Sequence, residues 1–187
     1  MQKISSSSKH HPLHARRRAV ALPFGTQRFL AAFEGIEGGF AIGASIVAAL
    51  AIAGMHKEIL LTTAIVSIIV NGFNSSSVKY SSEHFMDELD GREKKSAFRH
   101  YFVPSLIEFV CYFMISFVAV LPLLIIKENS IAVMISVGIT LALLFAAGFF
   151  RGYMLHMNGW RDGLEVLLLG TGIIAVGVMS GLVVNSL

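Results

Sequence analysis

The sequence predicts an all-α integral membrane protein, a bundle of five transmembrane helices with its N-terminus cytoplasmic and its C-terminus outside. Three observations carry this. Hydrophobic residues make up 55% of the 187-residue chain and charged residues only 14%, where a soluble domain carries about a quarter. Five apolar runs are each long enough to span a bilayer, which takes about 20 residues. Thirteen of the fifteen Lys and Arg residues fall in segments that an alternating five-span topology puts on one side, the side expected to face the cytosol.

The opening "MQKISSSSKHHPLHARRR" has no small-residue cleavage site after an apolar stretch, so it does not read as a signal peptide. Its Ser, Lys, His and Arg content fits a disordered basic tail over residues 1–28. His10, His11 and His14 form a short His tract that either binds a transition metal weakly or has no role. Residues 29–187 form the membrane domain. Helix 1 is expected over about Phe33 to Met55 and helix 2 from Ile59 to about Tyr80. Helix 3 should start at Pro104, a usual first-turn residue, and run to about Ile126, with Pro122 kinking or ending it. Helix 4 covers Ile131 to about Tyr153 and helix 5 covers Leu164 to Val184. The links "HKE" and "KENS" are short enough to make helices 1 and 2, and helices 3 and 4, antiparallel neighbours. The one substantial link is a cytoplasmic loop at about 81–103. The lone Cys111 sits in an apolar run, which leaves no disulfide framework and no CxxC site.

Ionisable residues inside a membrane span are costly and are functional candidates by default. Glu34 and Glu37 lie about 60° apart on one face of helix 1. Gly35, Gly39 and Gly43 repeat at four-residue spacing on another face, where they would let a neighbouring helix approach closely. Glu37 is 18 residues before Met55, roughly 27 Å from the outer end at helical rise, so the carboxylates sit near the cytoplasmic edge. Either they reach interfacial water there, or they form an entry site for a divalent cation that carboxylates can exchange for protons. Helix 2 carries Ser67, Asn71, Asn74, Ser75 and Ser82 in one stripe, which either bonds another helix or lines a hydrated path. Lys79 falls at the depth of Glu34 and Glu37 and could neutralise one of them. Glu108 lies about a turn inside helix 3, where it either caps or snorkels, or lines the path. Glu83, His84, Asp87 and Glu88, with Asp90, recur at helical spacings beyond helix 2. They read as a solvated charged face or as a collector of metal ions. No phosphate-binding glycine loop and no nucleophile-with-base pattern is present, so no enzyme activity is expected. The basic tail is explained by topology and by contact with anionic membrane lipid, without nucleic acid.

Three stretches together resemble the vacuolar iron transporter family, which includes the yeast-type vacuolar iron and manganese carriers and the nodulin-like proteins. "FEGIEGGF" is similar to that family's Asp-Gly-Ile motif in the first helix, with Glu34-Gly35-Ile36 in its place. "SLIEFVCYFMISFVAVLPLL" resembles the third helix with its Pro-Leu end, here Pro122-Leu123. "LFAAGFFRGYMLHMNGWRDGLEVLLLGTGIIAVGVMSG" resembles the last two helices and the link between them. The resemblance covers about Ala32 to Val184. It implies a five-helix fold, a homodimer, and export of Fe²⁺ or Mn²⁺ from the cytosol in exchange for protons, with Glu34 as the metal and proton site. The family's second helix has a methionine four residues before a Glu-Tyr pair; aligned on Tyr80, Ser75 and Lys79 stand in those places.

The expected function is therefore a secondary transporter of Fe²⁺ or Mn²⁺ by proton antiport. Glu34, Glu37, Glu83, His84, Asp87 and Glu88 are the candidate metal ligands, and Asn71, Asn74, Ser75, Lys79 and Glu108 the candidate path. The metal is cargo, and no permanently bound cofactor is expected. Two alternatives stand beside it: a membrane protein of the same fold with an assembly or regulatory role, and a carrier of another cation or small solute. The expected location is a bacterial plasma membrane, with a vacuolar membrane as the other option.

Overall fold

A computed structural model describes residues 25–92 and 96–187. Five α-helices follow one another: α1 (Thr26–Ile52), α2 (Lys57–Leu89), α3 (Val103–Ile125), α4 (Asn129–Met154) and α5 (Gly159–Asn185). One π-helical turn, Phe98–Phe102, leads into α3. All five are long and apolar enough to cross a membrane, and no strand occurs among the described residues. Large apolar side chains also cover the outer surface, among them Val70, Phe73, Leu168 and Val176. A helix bundle that is apolar both inside and out is what a lipid solvent selects.

α1 is the central helix and touches the other four. Its glycines make this possible. A Cβ at Gly35 would collide with the Glu108 carbonyl of α3, and one at Gly39 would stand 2.7 Å from the Tyr112 carbonyl. Gly43 packs the same way on Ser116. Ser116 uses the close approach to donate a hydrogen bond to the Gly39 carbonyl at 3.1 Å. On the other flank Gly177 and Gly181 of α5 lie directly on Ser45 and Ala49 of α1. The expected packing face of helix 1 is thus the α1–α3 seam. In the middle of the bundle Val47, Leu60, Ile68, Tyr112, Val120 and Leu123 form a buried apolar cluster.

The boundaries depart from expectation chiefly at α2. The helix runs nine residues past Tyr80, so most of the expected 81–103 loop is helical, and α3 is preceded by its own π turn. The stop comes at Asp90-Gly91, where Gly91 takes a left-handed φ of 65°, a conformation glycine adopts without strain at a helix end. α2 has 33 residues, about 50 Å at helical rise, well beyond a hydrocarbon core of about 30 Å. Its last turns therefore project past the apolar layer. Pro122 lies in the last turn of α3, which ends at Ile125. The tail residues 1–24, with the His tract, and residues 93–95 lie outside the described residues.

Candidate functional site

Alternation of the helices brings the start of α1, the end of α2, the start of α3, the end of α4 and the start of α5 to one end of the bundle. The charged groups gather there. Ser75, Lys79 and Glu83 follow at four-residue intervals on α2 and so share one stripe. Lys79 is the centre. Its ammonium pairs with Glu34 of α1 and with Glu83 Oε1 at 2.9 Å. Gln27 of α1 donates to the other Glu83 oxygen at 2.6 Å. One turn inward, Ser75 Oγ donates to Glu108 Oε1 of α3 at 2.6 Å. Glu108 is only 4% exposed, and its Oε2 is buried with no hydrogen-bond partner. The absence of a side chain at Gly35 lets α3 bring Glu108 this close to α1.

Glu37 does not join this group. Its two carboxylate oxygens accept from Arg151 Nη1 of α4 at 2.8 and 3.0 Å. The paired α1 carboxylates therefore diverge, Glu34 toward α2 and Glu37 toward α4. Asp162, in the first turn of α5, is buried beside them, fitted against Gly152 of α4. The expectation of Glu37 as a second ligand beside Glu34 meets an arginine already in place.

Beyond Glu83 the candidate ligands of α2 do not join this cluster. Asp87 accepts a 2.9 Å hydrogen bond from Tyr101 of the π turn. His84 packs its ring on Tyr101 and Tyr80, with centroids 4.9 and 5.9 Å away. Glu88 and Asp90 are exposed. Among the described residues no three His, Cys, Asp or Glu side chains converge as a preformed metal cage. What the geometry offers is an ammonium between two carboxylates, Glu34 of α1 and Glu83 of α2, with a third, Glu108 of α3, one turn inward.

The polar stripe of α2 splits between two faces. Ser75 points inward to Glu108, whereas Asn71 and Asn74 lie on the outer, exposed face. Asn71 donates back to the Ser67 carbonyl of its own helix at 2.9 Å. Below Glu108 the ring of Tyr112 is wedged between Gly38 of α1 and Gly72 of α2. Its hydroxyl and that of Thr140 are buried without a partner.

Arg151, Gln27, Tyr101 and Asp162 were not singled out from the sequence. Arg151 had a signal: it ends helix 4 at the depth of Glu37, but counts there only as a topology charge. Gln27 and Tyr101 had none, because both lie outside the apolar runs.

A family model described as the VIT family matches residues 78–183. The matched stretch holds Lys79, Glu83, Glu108 and Arg151, and begins after α1 and Ser75. A search of curated proteins finds no match.

Proposed function

Because the chain belongs to the VIT (vacuolar iron transporter) family, whose function is membrane transport of metal ions, we propose that it carries Fe²⁺ or Mn²⁺ out of the cytosol in exchange for protons. The observation that carries this reading is the cluster at the charged end of the bundle. Glu34 and Glu83 pair with one ammonium, Lys79, and Glu108 lies one turn further in, held by Ser75. Three carboxylates and one lysine charge can together accept the two further positive charges of one divalent cation or of two protons. Hard and borderline divalent cations are bound by such oxygen donors. Glu34 and Glu83 are the carboxylates we assign to the cation, since Glu37 is engaged by Arg151.

The orientation follows from the same end. Lys79, Arg92, Arg99, Arg151 and Arg161 lie on it, and Lys57 and Lys127 on the other, so it is the cytoplasmic end by the positive-inside rule. The cation then enters from the cytosol at Glu34 and Glu83. Asn71 and Asn74 support a homodimer. Exposed amides within an apolar span are unfavourable against lipid, and a second copy on this face would cover them and enclose a hydrated path. A bacterial plasma membrane remains the preferred location, and a vacuolar membrane the alternative.

One observation favours a second reading. Lys79 bridges α1 and α2 where a metal would sit, and the cluster would then serve only to hold helices in an assembly or regulatory protein. A double-mutant cycle on Glu34 and Lys79, read by thermal melting with and without Mn²⁺, separates the two. Stabilisation by Mn²⁺ that disappears in Glu34→Ala supports transport. Strong Glu34–Lys79 coupling with no effect of Mn²⁺ supports the structural role.

A further inference from the structure

We propose that Lys79 is a built-in cation that changes places with the transported one. Its ammonium rests on Glu34 and Glu83, and moves one turn inward to Glu108 when a divalent cation takes that outer pair. The identity of the incoming cation rests on the transport reading above; the inner resting place rests on geometry alone.

Glu108 supplies the inner place. It is almost wholly buried, Ser75 serves one of its oxygens, and the other has no donor. A buried carboxylate oxygen without a donor is costly, which suits an acceptor whose donor arrives in a second arrangement. Among the described residues, polar and charged groups reach toward it from three helices. From α2 come Ser75, Lys79 and Glu83, from α1 Glu34, and on α3 itself Cys111 and Tyr112 follow. Lys79 is the one cationic donor among them.

The distances allow the exchange. Ser75 and Lys79 are successive turns of one stripe, about 6 Å apart along the helix. A lysine carries its compact charge on a flexible four-carbon stem, so rotamer changes alone can sweep that length. The Lys79 side chain is only 11% exposed and already lies between the helices. Inward travel ends at Glu108, because the Tyr112 ring fills the space between Gly38 and Gly72 below it. Arg151 cannot compete for the inner place, since Glu37 holds it.

The charges balance in the second arrangement. A divalent cation on Glu34 and Glu83 is neutralised by two carboxylates, and Lys79 on Glu108 forms a separate neutral pair. Lys79 would thus keep the outer carboxylates apart from each other's repulsion when no cargo is bound, and withdraw without leaving a buried charge unpaired when cargo arrives. Such a two-position element is what lets two sites influence one another.

The first test uses no metal. Thermal melting of purified protein in detergent is compared for Lys79→Met, Glu108→Gln and their combination, in the wild-type background and in a Glu34→Gln, Glu83→Gln background. Near-additive effects in the wild type and clear coupling once the outer acceptors are neutralised are the expected result. Additivity in both backgrounds overturns the proposal. The second test needs only single and double variants, so it decides the matter if the multiple variants do not fold. Glu108→Gln should weaken Mn²⁺ binding about tenfold, within the range usual for coupled sites, and should have no effect in Lys79→Met. Equal weakening in both overturns the exchange. Wild-type protein that binds no Mn²⁺ counts against the transport reading, while the melting cycle still decides whether Lys79 moves.

Discussion

Glu34 and Glu37 stand three residues apart, yet the bundle gives them different partners and different energetics. The Glu34 side chain is half exposed, at 51%, so its pairing with Lys79 is worth only about 0–1 kcal/mol to stability. Glu34→Gln, which leaves Lys79 on Glu83, should therefore barely lower the melting temperature, whereas Lys79→Met should raise Mn²⁺ affinity by removing a competing cation; isothermal titration would show a weaker affinity if this were wrong. Glu37 and Arg151 are mostly shielded, at 19% and 24% exposure, and share a forked, charge-assisted contact. Arg151→Met should cost more, about 1.5–3 kcal/mol, visible as a clear drop in melting temperature that Glu34→Gln does not show. Counting residues along the helices was enough to bring Lys79 to the depth of Glu34. It could not say which way each glutamate turns, because that depends on which helices flank α1, and one apolar run looks like another in hydropathy. Glu108 was legible as an ionisable residue inside a span, but not the orphaned oxygen, which depends on which side chains of the neighbouring helices reach each side of the carboxylate.

At the scale of the element, the α1–α3 seam depends on the absence of side chains. Gly39→Leu would drive a side chain into the Tyr112 backbone and should destabilise the bundle by about 1–3 kcal/mol or more. Gly138→Ala meets nothing within 4 Å and should be neutral or slightly stabilising. Melting curves of the two variants side by side check the contrast. The glycine spacing was readable in the sequence, although the partner helix was not. The end of α2 shows the opposite case. Hydropathy marks where a helix leaves the apolar layer, at about Tyr80, whereas the helix itself runs nine residues further, to Leu89, and stops at the Asp90-Gly91 cap. The π turn holds that extension through the Tyr101–Asp87 hydrogen bond. Tyr101→Phe should remove about 1 kcal/mol of local stability. Hydrogen exchange would then quicken over residues 81–89 and stay unchanged in the core of α2.

On the scale of the whole molecule, five spans and their alternation were legible because long apolar runs and clustered charges are the strongest signals a membrane sequence carries. The family match and the helical bundle agree with that reading. Orientation is open to a direct check. With Cys111 replaced by Ala, a cysteine introduced at Ser186 should react with an impermeant thiol reagent added to intact cells, and one at Gln27 should not. The most direct test of the central claim, that the Glu34-centred cluster binds the transported cation and trades it for protons, is a single flux experiment. Purified protein in liposomes is given an inward Mn²⁺ gradient, with Mn²⁺ entry and internal pH followed together. Wild-type protein should admit Mn²⁺ while protons leave, and Glu34→Ala should lose both signals. Undiminished Mn²⁺ entry in Glu34→Ala, or Mn²⁺ entry in the wild type without any proton movement, would contradict the account.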